Sequence, residues 1–145
     1  LCDPEGVTLI GRLVFKLVAD KEIKAVGGEG MGGRVITAAV VLRSWLEGRP
    51  LPGFEIVKRD ESEGEYIIKG HFPSTGSRVA LVEDTLSTGG SILRAIKIVE
   101  DRGCQVAIII AILDRQLGGS EELRKRGYDF RALLRADTSG EITIN

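Results

Sequence analysis

Two hydrophobic patterns alternate along the chain, and their order predicts its fold. The apolar side chains of one helix face recur at the helical spacing in residues 10–18, which predicts an amphipathic first helix with an inner face made of Ile10, Leu13, Val14, Leu17 and Val18. Asp3 and Pro4 precede this segment as an N-cap and a first helical residue. Residues 79–82 and 106–113 are instead continuously apolar. That pattern is typical of parallel strands covered on both faces.

The remaining segments continue the alternation of strand and helix. The strands predicted from the apolar runs are residues 23–28, 54–57, 78–84 and 105–113. The further helices run from about Gly33 to Leu46, from about Gly90 to Arg102 and from Ser120 to Gly127. Gly103 fits the left-handed position after a helix. Residues 66–69 predict a short strand within a polar segment, and residues 129–134 predict an edge strand.

This order predicts an α/β protein with a Rossmann-like central parallel sheet flanked by helices. A chain of 145 residues is the size of one domain, which we expect to span residues 1–145. Twenty basic and 21 acidic residues give a net charge of -1, so no overall field indicates a nucleic-acid partner. No apolar run approaches the roughly 20 residues that a membrane span needs. Cys2 and Cys104 stand at no metal-ligand spacing and follow no leader, which predicts unpaired thiols in a cytoplasmic protein.

Two acidic residues and a polar loop follow the apolar strand at residues 79–82. Ligands of parallel sheets bind at the carboxyl ends of the strands, which is where Glu83 and Asp84 lie. Consecutive strand residues point to opposite faces, so we expect a turn at this pair to bring the carboxylates together. Free amides at the start of the next helix favour a dianion. The segment therefore predicts a site for a ribose 5-phosphate; a surface turn that merely caps the helix would leave the acid pair unexplained.

A second cluster of glycines, residues 28–33, lies between a predicted strand and a predicted helix. Gly28, Gly30 and Gly33 satisfy the GxGxxG pattern, and Glu55 follows at about the distance of a ribose-binding acid. However, Glu55 lies inside a strand, and a dinucleotide site would leave residues 83–90 unexplained. A purely structural glycine turn is a further alternative. Both anion-binding interpretations place phosphate groups on the free amides of this turn.

The stretch VALVEDTLSTGGSI, residues 79–92, resembles the PRPP-binding signature of type I phosphoribosyltransferases. PRPP is 5-phosphoribosyl 1-diphosphate. Three further stretches, DPEGVTLIGRLVFKLV, KAVGGEGMGGRVITAAV and LDRQLGGSEELRKRGYDFRALL, are similar to orotate phosphoribosyltransferases and occur in the same order. The resemblance covers nearly the whole chain. It implies the type I phosphoribosyltransferase fold and transfer of phosphoribose from PRPP to orotate.

The resemblance also implies roles for individual residues. Glu83 and Asp84 would hold the ribose hydroxyls, and Arg115 would contact the orotate carboxylate. Lys58 and Arg59 would contact the diphosphate, and these two residues together with Asp84 would be catalytic. Mg²⁺ would bind mainly through PRPP, without a dedicated protein metal site, and the protein would be a homodimer. The 5-phosphate would lie on Thr85, Ser87, Thr88, Gly89 and Gly90, and the diphosphate on Gly30, Met31, Gly32 and Gly33.

The sequence departs from the orotate enzymes at two places. The family's mobile basic loop carries a later lysine and histidine, which fall near Ser62 and Glu63 here, in a loop rich in acidic residues. Lys69 and His71 are candidates to replace them, but both lie well downstream. The family's N-terminal hood would precede Leu1. These departures leave an alternative open: a PRPP- or nucleotide-binding homologue with lost or altered base specificity, possibly regulatory in role.

Three single residues also have alternative interpretations. Arg115 could belong to an ordinary surface salt bridge instead of a substrate site. Trp45 could serve a subunit interface together with the apolar face of the first helix, but a core position is the favoured prediction for it. His71 is predicted to be a lone surface histidine.

Overall fold

The computed structural model describes residues 1–59 and 64–144. In these ranges the chain forms four helices and seven strands. The helices are α1 (Pro4–Val18), α2 (Gly30–Leu46), α3 (Gly90–Glu100) and α4 (Gly119–Lys125). The strands are β1 (Ala25–Glu29), β2 (Gly53–Lys58), β3 (Tyr66–Gly70), β4 (Arg78–Leu86), β5 (Gln105–Asp114), β6 (Phe130–Ala136) and β7 (Ile142–Ile144). None of these helices is long and apolar enough to cross a membrane.

The strands form one sheet in the order β3-β2-β1-β4-β5-β6-β7. The five central strands are parallel, whereas β3 and β7 pair antiparallel with their neighbours. The predicted central parallel sheet is therefore confirmed. The prediction of residues 129–134 as an edge strand is wrong, because β7 pairs with β6 on its outer side. The chain reverses at Asp137, whose carboxylate accepts hydrogen bonds from the amides of Ser139 and Glu141.

Buried apolar side chains cover both faces of the sheet. One cluster joins α3 and α4 to the sheet through residues such as Leu81, Ile96 and Leu123. The other joins α1 and α2 to the opposite face through residues such as Val14 and Ile36. Strands β4 and β5 lie between these two layers, which explains their continuously apolar sequences.

Helix α1 begins as predicted and turns most of its predicted apolar face inward. The members of that face that are buried or pack against the core are Ile10, Val14, Leu17 and Val18. The amide of Gly6 donates to Asp3 Oδ2 at 2.6 Å, so Asp3 is the N-cap. The predicted inner residue Leu13 is 46% exposed, and Gly11 is buried instead. A Cβ atom at Gly11 would lie 2.8 Å from the carbonyl oxygen of Ala39. The close approach of α1 and α2 at this glycine sets the inner face.

Helix α2 leaves an apolar face uncovered. Leu42, Trp45 and Leu46 are 62%, 70% and 68% exposed, respectively. The favoured prediction of a core position for Trp45 is therefore wrong. The reason is that α2 already packs its buried side, which includes Ile36 and Val40, against the sheet and α1.

The topology creates a crevice between β1 and β4. From β1 the chain continues to β2 on one side, while β4 lies on the other. The loops that leave the carboxyl ends of β1 and β4 therefore diverge, and open parallel sheets bind ligands at such a point. Both predicted anion-binding segments lie at this crevice.

Candidate functional site

The first wall of the crevice is the turn between β1 and α2. This helix begins at Gly30, three residues earlier than predicted, and Gly30 has a φ of +72°. Gly28 and Gly33 pack backbone against backbone, since a Cβ at Gly33 would lie 2.9 Å from the carbonyl carbon of Gly28. A Cβ at Gly32 would overlap the Asp84 carboxylate. The absence of side chains lets the turn lie directly against the acid pair.

The acid pair on β4 forms the second wall. Glu83 is buried and accepts a hydrogen bond from Ser91 Oγ at 2.7 Å. Asp84 lies beside Gly32 and accepts a hydrogen bond from the Thr85 amide at 2.7 Å. The turn expected at this pair is not present, because β4 continues to Leu86. Glu83 therefore contacts the start of α3, while Asp84 contacts the start of α2.

The side chain of Glu83 changes its protonation state near neutral pH. Burial raises the pKa of this carboxyl group to about 7, and the neighbouring negative charge of Asp84 also raises it. The hydrogen bond from Ser91 acts in the opposite direction. Because a carboxylate accepts hydrogen bonds and a carboxylic acid donates one, the chemistry of this wall changes with pH.

The loop from Ser87 to Gly90 connects β4 to α3. Gly89 is the N-cap of α3 with a φ of +89°, and no side chain in the described part of the chain caps this helix. Ser91, a possible cap, bonds to Glu83 instead. Free amides at the N-terminus of an eleven-residue helix suit a phosphate dianion. The capping alternative is thus disfavoured.

The loop between β5 and α4 packs against the Ser87–Gly90 segment. The Gly119 amide donates to the Ser87 carbonyl at 3.0 Å. A Cβ at Gly119 would lie 2.6 Å from that oxygen and 2.9 Å from the Gly89 nitrogen. In the sequence, only the pair of glycines before the last helix signalled this contact.

Arg115 lies in the same β5–α4 loop. Its amide donates to the Leu86 carbonyl at 2.9 Å, which places it next to the end of β4. Its side chain is exposed, and among the described residues it has no ion-pair partner. The surface salt-bridge alternative therefore finds no support in this part of the chain. The guanidinium remains available to a ligand carboxylate.

Lys58 is the last residue of β2 and Arg59 follows it, at the same edge of the sheet as Glu29. Lys58 is exposed. Arg59 forms an ion pair with Glu65 at 3.0 Å across the base of the loop. The acidic part of that loop, residues 60–63, lies outside the described residues, and so does the comparison with the family's lysine and histidine.

Lys69 and His71 lie away from the crevice. Strand β3 runs antiparallel to β2 and pairs Lys69 with Glu55. The His71 amide donates to the carbonyl of Gly53, the first residue of β2. Both residues therefore lie toward the opposite edge of the sheet from the crevice. His71 is exposed, as predicted.

Comparisons with known proteins agree with this geometry. Residues 4–141 match the family described as Phosphoribosyl transferase domain. The chain therefore belongs to the phosphoribosyltransferase family, and its fold is that of the type I enzymes.

The more similar relatives are orotate phosphoribosyltransferases, which confirms the resemblance found in the sequence. The enzyme from Rhodopseudomonas palustris (strain BisB5) is 30% identical over 94% of this chain and 75% of its own. That from Aquifex aeolicus (strain VF5) is 34% identical over 92% and 73%, respectively. The crystal structure of Mycobacterium tuberculosis H37Rv orotate phosphoribosyltransferase in complex with PRPP superimposes with a TM-score of 0.76 at 34% identity. It covers 89% of this chain and 72% of that one.

Proposed function

We propose that residues 1–145 act as one phosphoribosyltransferase domain that transfers phosphoribose from PRPP to orotate, producing orotidine 5′-phosphate and diphosphate. The observation that carries this proposal is the meeting of three features at one crevice. These are the acid pair on β4, the uncapped start of α3, and the glycine turn that begins α2. Their order matches the hydroxyls, the 5-phosphate and the diphosphate of a single PRPP molecule.

Each wall of the crevice has a distinct role in this proposal. The carboxylates of Glu83 and Asp84 accept hydrogen bonds from the ribose hydroxyls. The amides of Ser87–Gly90 hold the 5-phosphate, and those of Gly30–Gly33 hold the diphosphate. The reaction is a displacement at the anomeric carbon, so the protein contributes mainly by positioning the reactants and stabilising the departing diphosphate. Lys58 lies at the same edge of the sheet as the crevice, where it could stabilise the departing diphosphate.

We further propose that Mg²⁺ accompanies PRPP. The residues fit a shared cation, because Glu83 and Asp84 supply hard oxygen ligands beside the place proposed for the diphosphate. In the described part of the chain, no group of three or more His, Cys, Asp or Glu side chains could hold a metal ion by itself. When bound, the ion would offset part of the negative charge of the diphosphate.

A second candidate function is PRPP binding without efficient transfer. The observation that favours it is the ion pair between Arg59 and Glu65. Arg59 is one of the two basic residues expected to contact the diphosphate, and its charge is already paired. Transfer to a base other than orotate is the corresponding possibility at the Arg115 side of the site.

A diphosphate-release assay with PRPP and Mg²⁺ separates these functions. Orotate, uracil and a purine base are supplied in parallel. We expect release with orotate only. Release with another base would assign the transfer to that base, and tight PRPP binding without release with any base would support the second candidate. Absence of PRPP binding would contradict both.

Removing the Ser91 hydroxyl is expected to change how PRPP binding depends on pH. In Ser91→Ala, the pKa of Glu83 loses the contact that lowers it, so more of the group is protonated at pH 7. PRPP affinity should fall severalfold at pH 7 and approach that of the unmodified protein at pH 9, because both then carry the carboxylate. Calorimetric titrations between pH 6 and 9 measure this. An equal loss at every pH would contradict a role through Glu83.

We also propose that the protein acts in a reducing, cytoplasmic setting, which the two free cysteines support.

We further propose that the protein is a homodimer. The exposed face of α2 lies between two clefts of about 780 and 420 Å³, one against β2 and β3 and one against α1. Projecting apolar side chains and apolar clefts on one face suit a two-fold contact between identical chains.

Replacing Trp45 by Glu is expected to separate the proposed dimer into monomers. A charge at a residue of this exposed apolar face would have to be buried without a partner in the interface. Sedimentation velocity at several concentrations measures the result. Ile144→Glu, at an apolar residue that is 89% exposed on β7, is the matched control. Dissociation by the control variant alone would place the interface at β7 instead.

A further inference from the structure

Arg94 on α3 makes a bidentate contact with Glu29. Its Nη2 donates to Glu29 Oε1 at 2.6 Å and its Nε donates to Oε2 at 3.1 Å. Glu29 is the last residue of β1 and the N-cap of α2, and its side chain is only 13% exposed. It therefore lies immediately before the glycine turn proposed for the diphosphate. Nothing in the sequence signalled this pair, whose members are 65 residues apart.

The same guanidinium also contacts the hairpin formed by β2 and β3. The Arg94 Cζ atom lies 4.7 Å from the centre of the Tyr66 ring, within the range of a cation–π contact. Tyr66 is the first residue of β3 and pairs with Lys58 at the end of β2. One side chain thus links the glycine turn to the strand pair that carries a proposed diphosphate contact.

The negative charge of Glu29 would oppose diphosphate binding at the adjacent turn, and Arg94 neutralises this charge. A carboxylate at the start of α2 would repel a diphosphate placed on the adjacent amides. It could also accept hydrogen bonds from those amides itself. The bidentate contact neutralises the carboxylate and directs both of its oxygens toward α3.

We propose that Arg94 is a positioning residue for the diphosphate half of PRPP: it neutralises Glu29 beside the Gly30–Gly33 turn and holds Tyr66, and with it Lys58, at the edge of the site. This inference rests on the proposed function of the crevice. It differs from a purely structural role for the ion pair, because it affects one half of the ligand and leaves the other half unchanged.

The test compares three ligands in the Arg94→Gln variant. PRPP and inorganic diphosphate contain the group that Arg94 affects, whereas ribose 5-phosphate contacts only the acid pair and the start of α3. We expect the affinity for PRPP and for diphosphate to fall about tenfold, the effect of roughly one charge contact, and the affinity for ribose 5-phosphate to remain. In the assay, KM for PRPP should rise more than kcat falls. Lys97→Gln, which removes an exposed ion pair with Asp101 on the same helix, should change none of these values.

Two further variants separate the electrostatic role from a folding defect. Arg94→Lys keeps the charge and should retain most of the diphosphate affinity. Glu29→Gln combined with Arg94→Gln removes both charges and should restore much of the affinity lost in Arg94→Gln. Failure of the double variant to recover, or an equal loss for all three ligands, would overturn the inference.

Hydrogen exchange tests the contact with the hairpin. Tyr66→Leu should reduce amide protection in β2 and β3 near Lys58, while Tyr66→Phe, which keeps the ring, should not. Equal protection in both variants would contradict this part.

Binding by the unmodified protein separates failure of the inference from failure of the proposed function. If the unmodified protein binds neither PRPP nor ribose 5-phosphate, the proposed function itself fails. If it binds both and Arg94→Gln shows no selective loss, only the inference about Arg94 fails.

Discussion

Replacing Glu83 by Gln is expected to make the protein more stable above pH 7 and much weaker at binding PRPP. The two effects have one origin. Burial raises the pKa of Glu83 to about 7, so the folded protein binds a proton that the unfolded chain releases at its ordinary value of 4.5. Between these values the stability of the unmodified protein falls as pH rises.

The size of this stability effect follows from the shift in pKa. A shift of this extent corresponds to up to about 3 kcal/mol of unfolding free energy, because one pKa unit is worth about 1.4 kcal/mol. The loss is complete above the folded-state pKa. Gln cannot ionise, so Glu83→Gln should avoid this loss, provided that its amide keeps the hydrogen bond with Ser91.

The same substitution is expected to lower the affinity for PRPP. Each hydrogen bond from a ribose hydroxyl to a charged acceptor contributes roughly 1.5–3 kcal/mol, so losing the carboxylate should weaken PRPP by about ten- to a hundredfold. Asp84→Asn, which alters the half-buried member of the pair, should also weaken PRPP binding. A residue that serves only the structure should not destabilise the fold. A carboxylate that lowers stability but increases the affinity for the ligand is therefore typical of a binding site.

Urea unfolding at pH 5 and pH 8, together with calorimetric titration of PRPP at pH 8, measures both effects. The exposed Glu5, at the start of α1, provides a control: Glu5→Gln should leave the difference in unfolding free energy between the two pH values and the PRPP affinity nearly unchanged. A Glu83→Gln variant that gained stability at pH 8 and still bound PRPP with full affinity would contradict the proposed role of the acid pair.

The sequence was sufficient to predict the order of elements from α1 to β6, and it also indicated the position proposed for the site; β7 was not predicted. Local signals account for this. Asp3 and Pro4 define the start of α1, continuous apolar runs define β4 and β5, and Gly103 has the predicted left-handed conformation with a φ of +77°. Such signals depend on residues close in sequence, so they do not need knowledge of the tertiary structure.

The errors concern contacts between distant segments. The inner face of α1 depends on the approach of Gly11 to Ala39, and Trp45 is exposed because other residues of α2 already face the core. The backbone after Asp84 stays extended because β4 pairs as far as Leu86 with Asp114 of β5. The pairing of Glu29 with Arg94 likewise follows only from the packing of α3 beside β1. Periodicity within one segment contains none of this information.

The division of the site into two halves also has a chemical consequence. In the proposed site, β4 and α3 form the half for ribose 5-phosphate, and β1 and α2 form the half for diphosphate. Glu83 is assigned to the first half, and Arg94 is proposed to act on the second half although this residue lies on α3. Variants should therefore sort by ligand: those at the first half weaken ribose 5-phosphate and PRPP, and those at the second weaken diphosphate and PRPP.

Gly119→Ala provides a strong test of the first half, because the backbone of Gly119 packs directly against the backbone of the loop proposed to bind the 5-phosphate. The added Cβ would lie 2.6 Å from the Ser87 carbonyl oxygen and 2.9 Å from the Gly89 nitrogen. Neither is the end of a flexible side chain, so the loop itself must move. We expect the affinities for PRPP and ribose 5-phosphate to fall by at least about tenfold, because small displacements of positioning groups have large effects, and the affinity for diphosphate to persist.

The same substitution should lower the free energy of unfolding by about 1–3 kcal/mol through overpacking. Gly127→Ala controls for this loss. Gly127 follows the other end of α4 with a φ of +84°, and a Cβ there would have no heavy atom within 4 Å, so the variant should lose stability through backbone strain alone. Calorimetry on both variants decides the matter: if Gly119→Ala bound ribose 5-phosphate as well as Gly127→Ala does, the loop from Ser87 to Gly90 would not be the phosphate site.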